Sequence, residues 1–160
     1  MSSEIVLKCS KVIAAKDWNI SFAESATAGR MSATFSMSPE SGKILRGGIV
    51  CYEVFVKEQI LHVPHSYIEK YTPESAEVTQ ILAEQASKIF NSDITVAITG
   101  LTTPGGSETK EKPVGTIFFH IITPIEKIRH REVFSGTPEE IVLQAVYKTA
   151  SLIIESISSL

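Results

Sequence analysis

The stretch SFAESATAGR, residues 21–30, sets an acid, small hydroxyl residues, a glycine and an arginine directly behind a short apolar run. A serine in such a place, here Ser25, serves as a helix cap when its oxygen accepts an orphan backbone N–H. It also attacks a carbonyl carbon if a base is at hand, because a serine hydroxyl is weak at its own pKa. No histidine lies in the loops expected around it: His62 and His65 flank Pro64, and His120 and His130 belong to a predicted hairpin. A Ser-His-Asp arrangement is therefore unsupported. Lys57 is the other available base. It stands five residues after Tyr52, among Val54, Phe55 and Val56, and burial there would disfavour its charged form. Bringing a lysine from ~10.4 to near 7 takes about 3 pH units, or roughly 4–5 kcal/mol of environmental bias. The same residue also fits a solvated face of an amphipathic helix, so spacing alone leaves both roles open. A third segment, TGLTTPGGSETKEKP, offers Gly100, Gly105 and Gly106 for close backbone approach to a ligand, and Lys110 and Lys112 for an anion. It lacks the GKS or GKT ending of a Walker loop and equally reads as a flexible surface loop.

The elements that must position these residues follow from the hydrophobic pattern. Ile5, Val6, Cys9, Val12, Ile13 and Ala14 predict a helix over residues 3–16. NISFAES predicts a short strand, TAGRMSATFSM a helix starting near Thr27, and MSPESGK a loop. GGIVCYE predicts a second strand, VFVKEQILHV a helix, and HSYIEKY a short helical piece after Pro64. In TPESAEVTQILAEQASKIF a helix caps near Thr72 or Glu74 and sets Val78, Ile81, Leu82, Ala86 and Ile89 on one face. DITVAITG reads as a strand covered on both faces. VGTIFFHII and IRHREVF form a hairpin around TPIEK, and a last helix runs from Pro138 toward Ile157. The expectation is one domain over residues 1–160. It is a three-layer α/β/α fold around a mixed, mostly parallel five-stranded sheet. The three chemistry-bearing segments then lie beyond strand carboxyl ends, where such sheets bind ligands.

Composition narrows the classes. The chain has 160 residues, 43% hydrophobic and 21% charged, as ordinary globular domains have. A net charge of −3 provides no electrostatic footprint for nucleic acid, though a small anion held locally stays compatible. Cys9 and Cys51 form no CxxC pair, no leader is evident, and no apolar run approaches the ~20 residues of a membrane span. The expectation is a cytoplasmic protein with two reduced, buried thiols, bound neither to nucleic acid nor to membrane. The HVPH pair has no third metal ligand nearby.

Taken together, AESATAG, RGGIVCY with Lys57 behind it, and TG…PGG…EKPVGT resemble the CinA carboxy-terminal domain family over nearly the whole chain. That family includes nicotinamide-mononucleotide deamidases. Its stretches read A-E-S-C-T-G-G, R-G-x-x-x-Y-S-N-E-x-K and T-G-I-A-G-P-x-G-G with E-K-P-V-G-T. The resemblance implies a metal- and cofactor-free Ser/Lys amidohydrolase that deamidates nicotinamide mononucleotide to nicotinate mononucleotide and ammonia. It also implies a homo-oligomer. In that reading Ser25 is the nucleophile and Lys57 its base. Tyr52 orients the lysine or donates to the oxyanion, and backbone N–H groups after Ser25 are further oxyanion donors. Glu24, Thr27, Gly29, Arg46, Thr99, Gly100, Gly105, Gly106 and Lys112 are expected to contact substrate. Departures from the pattern are Ala26 for Cys, Ala28 for Gly, the run Glu53–Val54–Phe55–Val56, and Thr102–Thr103 for A-G. Pro138 and Val142 stand where the compared deamidases carry arginines in G-x-R-x-x-x-R. Any phosphate would then fall to Lys110, Lys112, Arg30 or Arg46. The competing expectations are an amidase for a different small amide, or a catalytically weak domain that binds a nucleotide or a partner.

Overall fold

In the computed structural model, which describes residues 2–159, five strands stand in the order β2-β1-β3-β4-β5. They are β1 (Ile20–Glu24), β2 (Leu45–Val50), β3 (Ile94–Gly100), β4 (Thr116–Ile122) and β5 (Lys127–Val133). β1 pairs in parallel with β2 and β3, whereas β4 pairs antiparallel with β3 and β5. Four strands thus share one direction and β4 alone opposes them. The mostly parallel expectation holds for strand direction, while the pairings divide evenly.

Alternation along the central strands creates two cores. Ile20 and Phe22 of β1, Ile94, Val96 and Ile98 of β3, and Ile117, Phe119 and Ile121 of β4 face one layer. That layer holds α1 (Ser2–Ala15), α2 (Arg30–Ser36) and α7 (Pro138–Ser158). Ala23 and Ala97 face the other layer, against Ala83 and Ala86 of α6 (Ala76–Phe90), so alanine on both surfaces lets this helix lie close to the sheet. α7 is long and apolar enough to cross a membrane by length and composition, contrary to the expectation of no such run. In the fold it instead buries Ile141, Ala145, Val146, Ala150, Ile153 and Ile157 in the first core.

Local chemistry moves several boundaries. The helix expected from Thr27 begins at Arg30, because Ala28 (φ 45) and Gly29 (φ 97) are left-handed and turn the chain first. The expected loop MSPESGK contains a one-turn helix, α3 (Ser41–Ile44), which buries Ile44. α4 (Val54–Gln59) stops before Leu61 and Val63, which turn into the second core through a left-handed His62. α5 (His65–Tyr71) leads to Ser75, whose side chain accepts the Val78 N–H and caps α6 in place of Thr72 or Glu74. β1 connects outward to β2, and β2 returns past it to β3. The chain therefore reverses at the β1/β3 boundary, leaving a crevice at their carboxyl ends.

Candidate active site

Ser25 is the first residue beyond β1. Its N–H donates to the Ile98 carbonyl at 3.0 Å, which extends the ladder by one residue before the chain turns away. Lys57 sits in α4 and is only 2% exposed, a rare state for a lysine. Its Nζ lies 2.8 Å from Ser25 Oγ, 2.6 Å from the Cys51 carbonyl and 3.0 Å from the Tyr52 carbonyl. Burial lowers its pKa, and the negative forms of Cys51 and Glu74 oppose that shift. A neutral amine has two N–H bonds and one lone pair. If the two carbonyls take the N–H bonds, the lone pair is left for the serine hydroxyl proton. Cys51 is buried beside this amine, and its thiol is pushed up to about 11, chiefly by desolvation.

The turn that carries Ser25 is built by Glu24, which is 1% exposed. One carboxylate oxygen accepts from Thr27 Oγ1 at 2.6 Å and the Met31 N–H at 2.8 Å. The other accepts from the Ser32 N–H at 2.9 Å and Ser32 Oγ at 2.6 Å. An acid thus satisfies orphan donors at the start of α2. Among the described residues the Ala26 and Thr27 N–H groups take no partner, so the turn itself keeps donors beside Ser25.

A cleft of about 220 Å³ opens on Ser25, lined by Ala26, Tyr52, Glu74, and residues 100–106. Gly100 on its wall is set by packing against β4: a Cβ there would lie 2.5 Å from Ile117 Cδ1 and 2.6 Å from the Thr116 carbonyl oxygen. Gly105 and Gly106 lie on the far wall, where the Gly105 N–H donates to Glu108 at 2.7 Å. The N–H groups of Gly105, Glu108 and Gly106 hold the Glu108 carboxyl below the usual carboxylate range.

Several expected substrate contacts are occupied elsewhere. Glu24 and Thr27 bond to each other and to α2, not to the cleft. Thr99 is fully buried and its hydroxyl meets Thr79 of α6 at 2.8 Å. Arg46 lies at the opposite end of the sheet and donates to the Phe90 and Asn91 carbonyls, closing α6. Lys112 donates to Thr72 Oγ1, the Glu74 carbonyl and Ser107 Oγ, at 2.6, 2.9 and 2.9 Å. Its three N–H bonds are thereby used to strap the third loop to the α5–α6 connection. Gly29 lines a neighbouring groove rather than this cleft. The Tyr52 residue is 63% exposed on the rim, and it is its carbonyl, not its hydroxyl, that meets Lys57. Glu74 was missed as a wall residue, since its place just before a helix reads as a cap. Only the return of the third loop, to which Ser107 ties its carboxylate, brings it into the cleft.

Comparison with known proteins agrees with this architecture. The family model described as CinA C-terminal domain matches residues 2–157. A CinA-like protein of Prochlorococcus marinus is 34% identical over 127 residues, covering 79% of this chain and 29% of that protein. A CinA-like protein of Thermosipho melanesiensis is 42% identical over 100 residues, 62% of this chain and 25% of that protein. The chain therefore spans roughly a quarter to a third of the length of the curated relatives it matches. Among solved structures, a competence-damaged protein (CinA) superfamily protein from Klebsiella pneumoniae superposes with a TM-score of 0.93 at 23% identity. The match covers 100% of this chain and 99% of that one, a likeness of fold.

Proposed function

The chain belongs to the CinA C-terminal domain family, and from that premise we propose that it is an amidohydrolase acting on a small carboxamide of the nicotinamide type through Ser25 and Lys57. One observation carries this reading: a lysine amine buried to 2% exposure, held on two backbone carbonyls and directed at a serine oxygen 2.8 Å away. A surface lysine needs no such enclosure. A domain that only binds has no use for a base on its serine.

The chemistry follows from those contacts. Ser25 Oγ attacks the carboxamide carbon as its proton passes to Lys57 Nζ. The negative charge that develops on the carboxamide oxygen meets the Ala26 and Thr27 N–H groups. Collapse of the tetrahedral intermediate breaks the C–N bond, and Lys57 returns its proton to the departing nitrogen, which leaves as ammonia. Water then attacks the ester on Ser25, with Lys57 taking and returning a proton a second time. The sum is carboxamide plus water to carboxylic acid plus ammonia. The Cys51 and Tyr52 carbonyls keep the amine aimed throughout.

Ammonia release from nicotinamide mononucleotide, nicotinamide riboside and nicotinamide, measured with one preparation, tests the proposal. Release from at least one that disappears in Ser25→Ala supports it. Release from none, or release undiminished in Ser25→Ala, counts against it.

A further inference from the structure

Behind the Ser25 turn lies a second compartment, a groove of about 600 Å³ between that turn and the start of α7. It shares Ala26 with the catalytic cleft, so the two compartments meet at the residue next to the nucleophile. Its walls are mostly apolar: Ala28 and Ala33 from the turn and α2, Pro138 and Val142 from α7. Two charged residues line it, Arg30 and Glu139, and they face each other at 3.6 Å. The cleft itself presents the carboxylate of Glu74 and no cation among its lining residues. Lys112, the nearest candidate, has its three N–H bonds engaged.

A dianionic phosphate placed in either compartment would face Glu74 or Glu139 with no unpaired cation to meet it. A neutral group entering the groove has alanine, proline and valine to cover it and brings no charge of its own to desolvate. We infer that the groove is the subsite for the far end of the substrate, and that it selects carboxamides whose far end carries no phosphate. This rests on the amidohydrolase reading for the position of the reacting carbon. It depends on no particular rate. Val142 and the Arg30–Glu139 pair are the determinants: the first puts no cation on the α7 wall, the second sets a carboxylate 3.6 Å from the one guanidinium in the groove.

The test compares nicotinamide riboside with nicotinamide mononucleotide, which differ only by the phosphate. In the native protein kcat/KM for the riboside equals or exceeds that for the mononucleotide, since no charge-assisted hydrogen bond to the phosphate is gained. Val142→Arg places a guanidinium on the groove wall at a partly exposed helix position and shifts the ratio toward the mononucleotide by about tenfold or more. Glu139→Gln, which frees Arg30, shifts it in the same direction. It serves if the first variant fails a thermal-melt check of folding. A native preference for the mononucleotide, or a ratio unmoved in both folded variants, overturns the inference even though the enzyme is active. If neither compound releases ammonia, the amidohydrolase reading fails, and calorimetric binding of the two compounds decides the subsite. Riboside bound at least as tightly, with the order reversed in Val142→Arg, upholds it. Tighter binding of the mononucleotide by the native protein, or binding of neither, overturns it.

Discussion

At the scale of single residues, Lys57 stands in surroundings that favour its neutral form. Ser25→Ala removes the nucleophile and one hydrogen bond to Lys57. Turnover falls by about a thousandfold or more, while stability changes by only about 1 kcal/mol, or about 2–4 °C in Tm. Steady-state rates and a melt on the same sample check both halves. Lys57 predicts a pH profile. Because burial lowers its pKa, kcat/KM rises with pH as the amine loses its proton and levels off below the ordinary lysine value of ~10.4. The sign for stability is the same. Below its folded pKa the buried, charged amine costs stability, and that cost is relieved as pH rises through the window toward ~10.4. Lys57→Arg keeps a charge that cannot be removed usefully. Activity retained in that variant across the pH range would show that Lys57 only binds substrate.

At the scale of elements, the turn between β1 and α2 directs Ser25 toward Lys57 and leaves it out of the cap of α2. Glu24 holds it by four hydrogen bonds from Thr27, Met31 and Ser32. Glu24→Ala strands those donors and is expected to cost about 3 kcal/mol or more. That corresponds to a Tm lowered by about 6–12 °C, with activity lost alongside; an unchanged melt would show that the turn holds itself. The elements themselves were legible, since β3 is a continuous apolar run and α6 carries an amphipathic period over fifteen residues. So were Ser25 and Lys57, as residue types at a motif's spacing. What sequence did not disclose is where polar side chains point. Glu24, Thr27, Thr99, Arg46 and Lys112 all have the chemistry of ligand contacts, yet each satisfies a neighbouring backbone or side-chain group. That outcome depends on three-dimensional partners such as Thr79 and the end of α6. It leaves no trace in local spacing. The late start of α2 at Arg30 has the same origin, a buried carboxylate reaching forward eight residues to Ser32.

At the scale of the whole molecule, the layers that bring Ser25 and Lys57 together carry a titratable group of their own. His120 of β4 is 4% exposed under α6, and neither ring nitrogen has a hydrogen-bond partner among the described residues. Burial lowers its pKa, helped by Arg129 and Lys127 of β5 and opposed by Glu84 of α6. Its contribution is therefore fully present above the ordinary value of ~6.5 and is lost as pH falls through the folded pKa. His65 acts in the opposite sense beside Glu58 and Glu69, but it is exposed and screened. Chemical denaturation as a function of pH should show stability falling below about pH 6.5, and His120→Leu should flatten that fall. An unaltered slope in the variant would assign the acid sensitivity elsewhere. The fold, its two cores and the crevice between β1 and β3 all converge on the contact between Ser25 and Lys57. The measurement that tests this most directly is ammonia released from nicotinamide riboside and nicotinamide mononucleotide by the native protein, Ser25→Ala and Lys57→Arg, all verified as folded. The expected result is release by the native protein and essentially none by either variant. Release that survives in folded Ser25→Ala, or its absence in the native protein, would contradict it.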